Sequence, residues 1–291
     1  MPPLAAPAVG IFPACTDRSM PILDLAREAE ARGFAGIYLN EHTHMPVDHG
    51  SSRFPAGGPT PERYGRFWDP YIALTWVAAQ TRLEVGTSIS LIGEHDPIAL
   101  AKAIATLDTL SQGRFAFGVG WGWNREEFED HGHPANRRAQ VVEECIVLMK
   151  KLWTQEVAAH RGEYFSLRPS HAWPKPCQKP HPPVFMGIPG NARNYERIAR
   201  YAEGWLPWGF DFYAPEFGTM IQDLRHAFEA AGRDPETLRI RATINATDTG
   251  SLRESIERGA RFGLEALYLY MADDPRDDAL RILDWAARAF T

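Results

Sequence analysis

Glu41-His42-Thr43-His44 sets one carboxylate and two imidazoles on consecutive positions just after an apolar run. An imidazole takes or gives a proton near neutral pH, so His42 is the candidate for proton transfer. The plainer alternative is a structural histidine bound to a loop carbonyl. On an extended chain His44 shares the face of His42, where it reaches a substrate or braces the loop. Glu41 points the other way, toward a ligand edge or a wall arginine. A second run, Gly118-Val119-Gly120-Trp121-Gly122-Trp123-Asn124, removes side chains where a flat molecule could approach the backbone. Trp121 and Trp123 wall a pocket or plug a rim, and Asn124 bonds a ligand or caps a short helix. In a third run, Gly187-Ile188-Pro189-Gly190-Asn191, free N–H groups ahead of a helix suit a phosphate, although Pro189 withholds one donor. Arg193 adds charge there or is an ordinary surface residue.

The elements that must position these residues alternate. Apolar strands are expected at 8–12, 34–40, 83–91, 114–119, 183–188, 204–209, 238–245 and 264–271. Helices are expected at 19–33, 69–78, 96–112, 137–153, 192–202, 215–231, 251–262 and 277–290, with Ser19, Asp69, Asp96 and Asn136 as caps. The segment 154–182 breaks the rhythm with a small β excursion at 164–167 and a Pro-rich crossing. Each helical crossover returns the chain to the same end, so the strands are parallel, and eight such units close into a (β/α)₈ TIM barrel, α/β in class. No GxGxxG follows the first strand, which disfavours an open dinucleotide-binding sheet. One domain spanning 1–291 is expected. In a barrel the site lies at the C-terminal ends of the strands, where all three runs fall. The polar, Gly/Pro-rich loop 45–66 and the turn 208–213 then shape a substrate pocket. Taken alone, 83–91 is a regular strand with a buried Ser88.

The site residues include no paired-carboxylate hydrolytic dyad, no GxSxG elbow and no P-loop. They are aromatic, small and amide-rich, as where a bound cofactor carries the chemistry. His42-x-His44 with His95, His131 and His133 could imitate the metal site of a hydrolase, a remote alternative, because no carboxylate follows strand eight in a liganding place. The 291 residues carry a net charge of −6 without a basic block, which argues against a nucleic-acid partner. There is no membrane-length apolar run and no signal-peptide pattern at 1–7. Three cysteines without a CxxC fit a reducing cytoplasm.

The segments Glu41–Pro46, LEVGTSISL with its downstream DPIALAK, ATLDTLSQGRFAFGVGWGWNREEFEDHG and GWLPWG resemble the bacterial luciferase-like flavin and deazaflavin oxidoreductases, most closely the branch using coenzyme F420. The resemblance implies hydride transfer between F420 and a small organic substrate, with FMN-dependent monooxygenation as the alternative. It implies His42 near the reactive face of the deazaflavin, with Glu41 at the ring edge. It implies a bulge with a non-proline cis peptide at Ser88-Ile89 pressed on the ring. Gly120, Gly122 and Asn124 would lie along the cofactor, and Gly187, Ile188 and Gly190 around its phosphate. Finally, it implies a homodimer.

Overall fold

The computed structural model describes residues 5–48, 50, 52–207 and 209–290. Ten strands form: β1 (Ala8–Pro13), β2 (Gly36–Leu39), β3 (Glu84–Ser90), β4 (Phe115–Val119), β5 (Ala158–Arg161), β6 (Ser166–Ser170), β7 (Val184–Met186), β8 (Gly204–Trp205), β9 (Arg239–Ile244) and β10 (Ala266–Met271). Eight of them close a parallel barrel in the order β1-β10-β9-β8-β7-β4-β3-β2, the (β/α)₈ architecture. The other two, β5 and β6, pair antiparallel in the inserted segment, which is therefore a hairpin wider than the 164–167 excursion. The expected strand 204–209 is too long: it is observed as Gly204–Trp205, Leu206 and Pro207 are not strand, a helix begins at Gly209, and Trp208 lies outside the described residues.

The helices are α1 (Ile22–Ala31), α2 (Pro70–Gln80), α3 (Pro97–Leu110), α4 (Arg125–Asp130), α5 (Arg138–Thr154), α6 (Ala192–Tyr201), α7 (Gly209–Tyr213), α8 (Phe217–Ala230), α9 (Thr249–Phe262) and α10 (Arg276–Ala287). Asp69 caps α2 and Asp96 caps α3, each followed by proline in the first turn. Two expected caps fail. Ser19 instead turns back to the Thr16 carbonyl, and α1 starts after Pro21 without a side-chain cap. Asn136 falls inside a 3₁₀ turn that leads into α5. The longest apolar stripe, on α5, buries Val141, Cys145, Leu148, Met149 and Leu152. No helix among the described residues is long and apolar enough to cross a membrane.

Inside the barrel the end away from the site is closed by charge. Arg241 on β9 is 1% exposed and bonds Glu84 (2.5 Å), Glu265 and the Tyr268 hydroxyl (2.9 Å). Tyr38 donates to Glu84 and stacks on Tyr268 with ring centroids 3.5 Å apart. A Cβ at Gly10 or Gly86 would meet the Tyr38 ring at 2.5 and 2.8 Å, so those positions must be glycine. Above this layer Phe185, Leu206, Phe12 and Ile89 fill the bore and leave room only at the strands' C-terminal ends. Removing one partner of a buried ion pair strands the other charges. Arg241→Met is expected to cost about 3 kcal/mol, the lower end of the range because both glutamates are one-third exposed. Urea denaturation measures this, and a loss below about 1 kcal/mol would show that the plug contributes little.

Candidate active site at the barrel mouth

The mouth holds a cavity of about 270 Å³ whose lining includes His42, Ser88, Ile89, Trp121, Trp123 and Tyr270. His42 arrives three residues beyond β2, and its Nδ1 lies 2.6 Å from Glu127 Oε2 on α4. The other oxygen of Glu127 accepts the Thr43 N–H at 2.9 Å. With Nδ1 bound to a carboxylate, Nε2 is the ring nitrogen left for a ligand. Glu127 was not singled out by sequence. The N-x-x-E spacing from Asn124 was a signal for it, since that spacing marks a capping box. Asn124 does cap α4, accepting from the Glu127 N–H at 3.1 Å. The glutamate side chain leaves the cap and reaches across to His42 instead.

Rings from the loop 41–69 and from the turn after β4 cover this pair. The centroids of Tyr64, Phe67 and Trp123 lie 5.1, 6.1 and 5.8 Å from that of His42, and Phe54 packs on Tyr64 and Trp123. Arg66 ties the loop's base to Asp17 (2.9 Å) and Glu62 (2.8 Å), and the loop pairs back through Thr16 and Phe67. Its tip is pinned where Ser52 donates to Glu126 and accepts from the Arg125 N–H. Composition marked this loop as a cover, but which of its aromatics face inward is a tertiary fact.

Glu41 lines the cavity, but its carboxylate is fully engaged by Ser90 Oγ, the Leu91 N–H and His95 Nε2, each at 2.7 Å. Burial alone would raise this carboxyl; the three donors outweigh it and hold it below the usual range. The same pairing raises His95 despite its own burial. Among the described residues Glu41 therefore pairs with His95 and not with a wall arginine. It braces the turn after β3.

That turn follows a bulge. The β3–β4 register shifts between Thr87 and Ser90, and the Ser88-Ile89 peptide is cis. The Ile89 side chain explains two of the expected glycines. A Cβ at Gly120 would meet its Cδ1 at 2.1 Å, and one at Gly187 its Cγ2 at 2.3 Å. The space cleared there is taken by the isoleucine side chain, although Gly187 also borders the cavity. Gly122 is different: its φ of +69° requires the left-handed region, and it lines the cavity.

The turn 187–191 is less open than its sequence suggests. Ile188 is buried, its carbonyl accepting from Trp205 Nε1 at 2.9 Å. Gly190 is packed against Met220, Tyr195 and Trp205, and its N–H points at Asp211 Oδ2, 3.2 Å away. Burial raises the Asp211 carboxyl. An anion at this turn would meet a carboxylate already in place. The nearby cations lie on the other side of Trp121, where Arg125, Arg138, Arg193 and Arg197 line a second cleft. Arg197 lies over the Trp121 ring at 5.7 Å and pairs with Glu143, while burial and Arg125 lower Arg138. Of the nine positions expected along the cofactor, Glu41, Ser88, Ile89, Gly122 and Gly187 line the cavity, whereas Gly120, Asn124, Ile188 and Gly190 serve its frame.

Among the described residues no three His, Cys, Asp or Glu side chains could jointly hold a metal ion. The histidines are otherwise committed: His44 to Asp130 at 3.0 Å, His95 to Glu41, and His131 to Thr43 Oγ1 at 2.8 Å.

Fold and mouth together define a TIM-barrel protein with an aromatic-walled cavity at the strands' C-terminal ends. Residues 14–272 match the model of the luciferase-like monooxygenases, and the chain belongs to that family of oxidoreductases. It is similar to an uncharacterised protein of Mycobacterium tuberculosis, 40% identical over 269 residues that span 91% of this chain and 92% of that one. It is also similar to the F420-dependent glucose-6-phosphate dehydrogenase of Kineococcus radiotolerans, at 29% over 219 residues, 73% of this chain and 59% of that one. The crystal structure of the monooxygenase RslO1 from Streptomyces bottropensis shares the fold, with a TM-score of 0.78 at 21% identity over 97% of this chain and 98% of that one.

One buried acid behind the mouth makes stability depend on pH. Burial, then Glu127 and Glu41, push Glu94 from 4.5 up to about 10. The folded chain keeps a proton that an unfolded glutamate releases, so this contribution is whole below pH 4.5 and is lost as pH rises toward 10. Glu94→Gln should match the parent in thermal denaturation near pH 4.5 and exceed it increasingly toward pH 8. A difference independent of pH would contradict the assignment.

Proposed function

We propose that the chain is an oxidoreductase that moves a hydride between coenzyme F420 and a small, largely apolar organic substrate, with His42 exchanging the accompanying proton. The observation that carries this reading is the division of the site into two parts. The aromatic-walled cavity of about 270 Å³ falls just under the usual range for ligand pockets, about 300–1,000 Å³. It suits a flat ring and a small substrate, and not a long tail. Beside it, across Trp121, four arginines line a separate cleft. That is more positive charge than a single phosphate requires, and it suits the phosphate and carboxylates of an F420 tail better than the lone phosphate of FMN.

The residues fit such a group. Trp121, Gly122, Gly187, Ser88 and Ile89 would hold the ring, and Arg125, Arg138 and Arg193 the anionic tail. This moves the phosphate away from Gly190, whose N–H is engaged by Asp211. When bound, the deazaflavin supplies the hydride carrier, having carbon where flavin has N5. The protein's own part is to orient. Glu127 fixes the His42 ring so that Nε2 faces the cavity, and Phe54, Tyr64, Phe67 and Trp123 exclude water above it. A substrate oxygen could give its proton to Nε2, or take one from it, as the hydride moves. Buried Cys15 and Cys145, both unpaired, support a reducing cytoplasm as the setting.

The homodimer fits the outer face of α2. Trp68, Ile72 and Trp76 line a shallow apolar hollow there, and Ile72 is 75% exposed. A second copy would cover this patch.

Titration with F420, with FMN and with a deazaflavin lacking the tail tests the cofactor. F420 should bind most tightly, and Arg138→Ala or Arg193→Ala should weaken it by about tenfold while sparing the tail-less compound. Tight FMN binding without F420 binding would defeat the assignment. His42→Ala should lower turnover by about 10²–10⁴ with cofactor affinity held within a few-fold. Ile72→Glu with Trp76→Glu should give a monomer in sedimentation velocity. A parent chain that already sediments as a monomer would remove the dimer.

A further inference from the structure

Behind His42 lies an acid for which the mechanism above has no use. Glu94 ends the 3₁₀ turn Ile92–Glu94 that follows β3, and its side chain is 1% exposed. Neither of its carboxyl oxygens has a well-formed hydrogen bond among the described residues. Its neighbours are mostly acids. Glu127 comes from α4 and Glu41 from the end of β2, both buried. Thr43 lies close by. His131 is the basic group near it, 3.8 Å from Oε2, but that imidazole bonds Thr43 Oγ1, and burial and then His44 depress its proton affinity. His95 is spent on Glu41 and His44 on Asp130. From α5 the Cys145 thiol bonds the Ile92 carbonyl, and burial keeps it protonated.

We propose that Glu94 is a positioning residue that remains a neutral acid beside Glu127, so that the buried pair presents one negative charge to His42. The proposal rests on the reading of His42 as the proton-exchanging group. Two buried carboxyls with no cation between them cannot both ionise. Glu127 is held as the acceptor by two donors, His42 and the Thr43 N–H, so the proton stays on Glu94. The charge count gives the arrangement its purpose. A neutral Glu94 leaves Glu127 as the one charged acceptor at Nδ1, so a single carboxylate orients the His42 ring beside the cavity. The large upward push on Glu94 agrees with this geometry.

The test needs no cofactor and uses the full chain. Infrared spectra with ¹³C-labelled glutamate should show a protonated-carboxyl C=O band at pH 7 that Glu94→Gln abolishes. Should that variant not fold, Glu94→Asp removes the labelled band in its place. Histidine ¹⁵N NMR should find the His42 midpoint unchanged in Glu94→Gln, one neutral group for another. In Glu127→Gln it should fall by about one pH unit or more. Absence of the band at pH 7, or a fall in the His42 midpoint in Glu94→Gln matching that in Glu127→Gln, overturns the proposal. Failure of hydride transfer with any added cofactor would sink the functional reading while leaving both spectroscopic results readable.

Discussion

The 2.6 Å contact between His42 and Glu127 holds the mouth together. It joins the end of β2 to the short helix after β4, across the position of β3 between them. Because both partners are almost fully buried, the bond is worth more than it would be in water, and leaving either partner unpaired would cost more. It fixes the histidine ring, anchors the first residues of the covering loop through Thr43, and sets Glu127 against Glu94. Covering loop, His42 and buried acid are thus one connected network.

The barrel treats its two ends differently, and charge is the device in both. At the closed end Arg241 and Arg239 together balance Glu84 and Glu265, so the charged side chains that fill the bore are paired. At the open end the buried glutamates face imidazoles instead: Glu41 has His95, Glu127 has His42, and Glu94 has only a more distant ring. There burial and the neighbouring carboxyls push Glu94 toward its neutral form.

Ile89 shows how steric and chemical demands meet at one residue. Its side chain occupies the volume that Gly120 and Gly187 vacate on β4 and after β7, so three strands are keyed together just beneath the cavity floor. The glycines look, in sequence, like clearance for a ligand. They are clearance for a neighbouring strand, whose Ile89 and Ser88 then line the cavity.

The alternation of apolar runs with capped helices was enough to determine the closed barrel and the end that carries the site. Strand and helix preferences act over a few residues, and the return of each crossover leaves few topologies open. Asp69-Pro70 and Asp96-Pro97 announced their helices for the same local reason, while Ser19 and Asn136 found other partners once the chain folded. His42 stood out because it follows a strand directly. Glu127, 85 residues further on, and Arg241 in the middle of a strand did not, since their roles exist only where distant segments meet. The same holds for the Asp211 carboxylate at Gly190 and for the arginines across Trp121, which come from three separate helical segments. Sequence settled the scaffold through short-range backbone preference; tertiary packing decided which polar groups lost their water together, and that desolvation gives the site its chemistry.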